Sequence, residues 1–290
     1  MTKPTVSSPS WLRSRLLLYP LVTAMLLSLT GCLTFETIIK LNRDGSGTVE
    51  QTFLFTSEML RMALLFGGDD GGPAELCNEE ELAEQAASMG EGVHLASAEA
   101  INDGDALGCR AIFAFDDINT LNVSFNPEDQ MPAGMTAGEP DADPSDEGAE
   151  TDDFISFRFN PGRTATLTVT MDQDPGHDEA GAEEESPFAA ADADSTARLQ
   201  QMQMMREMFK GAYLAILLDV EGTIKETDAS FHDGNRITLM EMDFDKLLEN
   251  EESLEKLAAA DPQNTDEMKA LMEDIEGVKL ETNETFTVRF

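Results

Sequence analysis

Apolar and polar residues alternate with a period of two over 34–41: Phe35, Thr37, Ile39 and Leu41 share one side, and Glu36, Ile38 and Lys40 the other. The alternation returns over 48–55 with Val49, Phe53 and Phe55. Successive strand side chains point to opposite faces, so both stretches predict strands with one buried face. Asn42-Arg43-Asp44-Gly45-Ser46-Gly47 between them supplies turn residues, and the pair reads as a hairpin. Two further strands are predicted over 93–101 and 109–115, joined through Asn102-Asp103-Gly104-Asp105. A second clear hairpin follows. Ile155, Phe157 and Phe159 alternate up to Asn160-Pro161-Gly162-Arg163, after which Ala165, Leu167, Val169 and Met171 alternate with Thr164, Thr166, Thr168 and Thr170. Residues 212–220 are nearly all apolar, as in a central strand. Strands are predicted over 222–231 and 236–242, around His232-Asp233-Gly234-Asn235. The chain closes in extended segments over 277–280 and 284–290, where Phe286, Val288 and Phe290 alternate as in a strand at a sheet edge.

Helical spacing takes over elsewhere. Residues 57–66 carry Ser57 as N-cap and Gly67 as C-cap, and 79–89 place Leu82 and Ala86 inward. Residues 196–210 set Leu199, Met202, Met205 and Phe209 on one face, and 243–260 and 266–275 are separated by Pro262. The expected fold class is therefore α+β, an antiparallel β-sheet covered by packed helices. Two stretches, about 127–153 and 172–195, are rich in Asp, Glu, Gly, Ala and Pro; the first holds no basic residue. Such segments bury too little apolar area to offset chain entropy, so they read as disordered acidic loops. They flank one hairpin and so interrupt a single domain over 32–290.

The N-terminus adds an address. Lys3, Arg13 and Arg15 precede an apolar run over 16–27, and Leu29-Thr30-Gly31-Cys32 follows. A basic start, a short apolar centre and small residues at the exit form an export signal. The run is shorter than the roughly 20 residues a spanning helix needs. Ending in Gly-Cys, the segment resembles a bacterial lipoprotein signal, which implies that 1–31 are removed and that Cys32 receives a diacylglycerol. Leu33, rather than Asp, follows the cysteine, which by the same resemblance implies the outer membrane, facing the periplasm, if the host is Gram-negative.

Charge narrows the partners. The 290 residues carry 19 Lys and Arg against 57 Asp and Glu, a net charge of −38. The first 31 residues hold three of the basic residues and none of the acidic ones, so the chain from Cys32 onward stands at −41. That surface excludes nucleic acid and repels anionic lipid heads; it suits cation binding or high salt. Three cysteines are present. With Cys32 acylated, Cys77 and Cys109 form an even pair in an oxidising compartment, and one disulfide is expected.

Candidate chemistry is sparse. Residues from Asn42 follow the order of an EF-hand loop, with Asp44, Ser46, Gly47, Thr48 and Glu50 in place, but position twelve is Phe53 where a bidentate Glu belongs. The plain hairpin is the stronger reading, with weak calcium binding through Asp44 as the alternative. A Met-bearing helix face at Met202, Met205 and Phe209 could take an apolar ligand or an envelope protein. The three histidines are His94, His177 and His232, and a hydrolase would have to use His232 with Asp228 or Asp233. No HExxH, GxSxG, phosphate-binding loop or CxxC is present. Neither a catalytic residue, a cofactor nor a metal ligand is assigned, and no enzyme is expected.

Two segments carry a family resemblance. One is the strand–DGSG–strand over 40–49, just after the lipidation cysteine. The other runs from Leu214 to Leu248 through Glu221-Gly222-Thr223-Ile224, Thr227-Asp228-Ala229, Gly234-Asn235, Ile237-Thr238-Leu239 and Asp243-Phe244. Together they resemble bacterial lipoproteins of the LppM-like type. The resemblance covers about a third of the mature chain and implies an α+β envelope domain without a catalytic residue. The resulting expectation is a membrane-anchored envelope lipoprotein with a non-catalytic binding or scaffolding role.

Overall fold

The computed structural model describes residues 33–56, 77–102, 104, 106–124, 154–171, 209–250 and 275–290. The expected helices over 57–66 and most of 196–210 and 266–275 lie outside these residues, as do both acidic loops.

The first hairpin forms as its pattern predicts. Strand β1 (Leu33–Leu41) pairs antiparallel with β2 (Gly47–Thr56), and Phe35, Ile39, Leu41, Val49, Phe53 and Phe55 turn inward. Asn78 caps helix α1 (Glu79–Ser88) by accepting from the Glu80 amide, and Leu82 and Ala86 are buried. Strands β3 (His94–Asn102) and β4 (Ala106–Phe115) follow as the second hairpin, and β4 pairs with β2. After one 3-10 turn at Ile118–Thr120 come β5 (Asn122–Ser124), β6 (Phe154–Asn160) and β7 (Thr166–Met171). The chain continues through β8 (Tyr213–Val220), β9 (Glu226–Thr227), β10 (His232–Asp233), β11 (Arg236–Asp243), helix α2 (Phe244–Glu249), β12 (Val278–Leu280) and β13 (Thr285–Arg289).

These strands make two sheets. The larger has the order β10-β11-β8-β1-β2-β4-β3, with β12 also on β11; the smaller has the order β5-β6-β7-β13-β9. One core joins them, with Ile39, Phe113 and Leu218 from the larger sheet and Ile155, Leu167, Phe286 and Val288 from the smaller.

This corrects the expected α+β fold. Strands make up 56% of the described residues and helix 13%, in two helices, so the fold is mostly β. The hairpin between the acidic stretches does not extend the first sheet; it belongs to a second one, whose inner face covers the core where helices were expected. The sheet is also not wholly antiparallel, since β8 runs parallel to β1 along its length. Sandwiched between β1 and β11, β8 buries Ala215, Ile216, Leu217 and Leu218 in succession, hence its apolar run. Two local expectations change as well. The strand over 222–231 shortens to Glu226–Thr227, and the C-terminal strand lies inside its sheet, between β7 and β9, rather than at an edge.

Candidate functional site

Cys32, the expected lipidation residue, lies outside the described residues. The residue bonded to it, Leu33, opens β1 and pairs with Phe55 on β2. The same row continues to Leu107 on β4 and Asn102 on β3. One residue away on β1, Thr34 pairs with Tyr213 on β8, which pairs with Asp243 on β11. The start of β1 is thus the middle of a continuous sheet end.

Cys77 and Cys109 form a disulfide with a Cα–Cα distance of 5.2 Å. It ties the residue just before the α1 cap to the middle of β4, where Cys109 is fully buried.

The DGSG turn spends its polar groups on itself. The Asp44 carboxylate accepts from the Ser46 amide at 3.1 Å and the Ser46 hydroxyl at 2.7 Å, and the Asn42 amide donates to the Ser46 hydroxyl at 3.1 Å. The Ser46 hydroxyl and amide bonds hold the Asp44 carboxyl below its ordinary pKa. Glu50 lies along β2 and pairs with Lys40 and Arg110. The Asp44 and Ser46 oxygens of the EF-hand order are therefore engaged within the turn, and Glu50 is engaged by cations of β1 and β4.

His232 and Asp233 are exposed on β10, and His94 is exposed at the start of β3. Asp228 accepts from the Thr287 amide at 2.5 Å and its hydroxyl at 3.1 Å; the amide bond is the larger cause of its lowered pKa. It serves the β9–β13 junction and makes no pair with His232. His177, Met202 and Met205 lie outside the described residues. Phe209 stacks on Phe244 with centroids 5.2 Å apart, against the small apolar cluster of Leu247, Leu248 and Ile275.

Two polar arrangements were missed in the sequence. The first is the outer face of the larger sheet, which carries a lattice of ion pairs. Arg236 grips Asp219 with two bonds of 2.7 Å, and Lys279 holds Glu241 at 3.1 Å. Among them, Glu36 has its pKa raised, chiefly by burial and also by Glu50 and Asp219, against the opposing pull of Arg236 and Arg110. Tyr213 is pushed up to about 12 by burial, with Glu241 and Glu36 adding to it. The period-two pattern placed Glu36 and Lys40 on one face, but the other strands join that face only through the register. The second arrangement centres on Glu281, fully buried, whose carboxylate accepts from the Ser230 amide and hydroxyl and from the Asn283 amide. In the second, the Ser230 hydroxyl is bonded to a carboxylate that also accepts from two backbone amides, which ties it into a structural corner. Among the described residues no three His, Cys, Asp or Glu side chains gather as a metal site, and no helix is long and apolar enough to cross a membrane.

No protein-family model matches the chain, and no curated protein matches it in sequence. Among solved structures, the folded domain of LppM from Mycobacterium tuberculosis, determined by NMR, aligns with a TM-score of 0.30 at 8% identity, over 73% of this chain and 83% of that one. A likeness of that size decides neither family nor function.

Proposed function

We propose that this chain is a lipid-anchored protein of the bacterial cell envelope, acylated at Cys32, with a non-catalytic binding or scaffolding role. The observation that carries the reading is the junction of signal and fold: Leu29-Thr30-Gly31-Cys32 closes an export signal, and the next residue, Leu33, is the first of β1. Cleavage before Cys32 would spare every described strand and would leave the acylated residue bonded directly to the first residue of β1. In a Gram-negative host, Leu33 after the cysteine directs the protein to the outer membrane, facing the periplasm.

The engagement of Asp228 with Thr287 weighs against a hydrolase built on His232. The self-bonded Asp44 turn weighs against calcium, and titration with millimolar calcium, giving no heat, is the expected result. Metabolic labelling with a fatty acid tests the anchor: the parent chain incorporates label, Cys32→Ala does not, and label retained by the variant refutes the reading. In-cell crosslinking of the same two forms tests the scaffolding role, through a protein captured by the parent and lost with the anchor.

A further inference from the structure

We propose that the end of the larger sheet at which β1 begins rests on the bilayer surface, with the strands of that sheet leading away from the membrane. The inference depends on the acylation of Cys32 proposed above and adds which surface of the domain then meets lipid.

The argument is one of tether length. Cys32 is bonded directly to Leu33, and neighbouring Cα atoms lie about 3.8 Å apart. An acyl group on Cys32 therefore leaves no linker between bilayer and fold. Nor can β1 yield one. It lies between β2 and β8 and is hydrogen-bonded to both, from Leu33 or Thr34 through to Leu41. Peeling its first residues away would open the centre of the sheet. The row Leu33–Phe55–Leu107–Asn102 is therefore held at the lipid interface, and Phe209 and Phe244 stack near the same end, where the Phe244 amide donates to the Ala212 carbonyl just before β8. The other end of the nine-residue β1 is about 26 Å away at the usual rise per residue. It carries the Asp44 turn and Glu221, whose amide donates to the Leu41 carbonyl. At −41 from Cys32 onward, the domain gains nothing from anionic heads, so the surface that fits is a zwitterionic one, with the acyl chains supplying the attachment.

The sequence offers a clean reporter, because its one tryptophan, Trp11, lies in the signal. Asn102→Trp and His94→Trp place single indoles at exposed positions of one strand, β3, at its near and far ends. Each lipoprotein is extracted from membranes and reconstituted in phosphatidylcholine vesicles with or without nitroxide-labelled headgroups. The expected result is loss of emission at 102 and none at 94. Equal quenching, or stronger quenching at 94, overturns the orientation. The intact mass of the same samples separates the two readings. An acylated chain with reversed quenching refutes the orientation alone, whereas a chain without acyl mass refutes the anchor and this inference with it.

Discussion

The carboxylate of Glu281 accepts from Ser230, 51 residues earlier, through both the amide at 2.5 Å and the hydroxyl at 2.8 Å. Each residue sits where the chain changes sheets. Residues 228–231 leave β9 of the smaller sheet for β10 of the larger, and 281–284 leave β12 of the larger for β13 of the smaller. The Asn283 side chain adds a bond to the Asp228 carbonyl at 3.2 Å. One buried carboxylate thus satisfies three donors at the corner where the two sheets meet.

Removing that acceptor leaves buried donors unpaired, which costs more than the bonds contribute net. Glu281→Ala is expected to lower unfolding stability by about 3 kcal/mol, the range for losing bonds to a buried charged group. Glu281→Gln, which keeps one acceptor oxygen, is expected to lose less. Urea denaturation measures both. A change below about 0.5 kcal/mol for the alanine variant, the ordinary surface value, shows that the corner does not depend on Glu281.

The disulfide closes a separation of 32 residues. In the chain-entropy model such a loop contributes about 3 kcal/mol, by restricting the unfolded chain. Cys77→Ser with Cys109→Ser is expected to lose about that much, and reduction of the parent by an added dithiol is expected to add about 2 Da, one hydrogen atom per sulfur. An unchanged mass on reduction removes the bond. An unchanged urea midpoint shows that α1 and β4 hold together without it.

What was legible in the sequence is what local pattern encodes. Alternation located the Leu33–Thr56 hairpin and the Phe154–Met171 hairpin, and the inward spacing of Leu82 and Ala86 located α1. Cysteine parity found the 77–109 pair, and the apolar run found β8. The parallel pairing of β1 with β8 joins residues roughly 180 apart, and no period within either strand encodes the partner. The second sheet was missed for the same reason. A strand with one apolar face looks alike whether a helix or another sheet covers it. Glu281 was missed because a buried Glu and a surface Glu have the same local sequence, and only its partners at 230 and 283 tell them apart.

Two carboxyl groups are expected to pull stability in opposite directions with pH. Glu36 has a raised pKa, so the folded state favours its neutral form. Its penalty is full above the raised folded value and vanishes as pH falls below the unfolded value near 4.5. Asp228 has a lowered pKa, so its contribution is full above the unfolded value near 3.8 and is lost as pH falls through the folded one. Glu36→Gln is therefore expected to stabilise the protein at pH 7, with the gain fading towards pH 4. Asp228→Asn is expected to destabilise it at pH 7, with the loss fading at lower pH still. Thermal unfolding from pH 3 to 7 reads both, and a Glu36→Gln variant less stable than the parent at pH 7 contradicts the first.

Gly47 and Gly92 separate a close approach from a strained turn. A Cβ at Gly47 would lie 2.0 Å from the Lys40 carbonyl oxygen and 2.5 Å from the Phe115 ring, at the point where β2 leaves the DGSG turn. Neither neighbour can give way without breaking the hairpin or moving a fully packed phenylalanine. Gly92 has φ +84° but meets nothing within 4 Å, so an alanine there carries only the backbone penalty, about 1–2 kcal/mol. Gly47→Ala is expected to cost well beyond that, above about 3 kcal/mol, the scale of overpacking added to a lost ladder bond. If chemical denaturation gives the two variants equal losses, the tight seat of Gly47 against β1 and β4 is wrong.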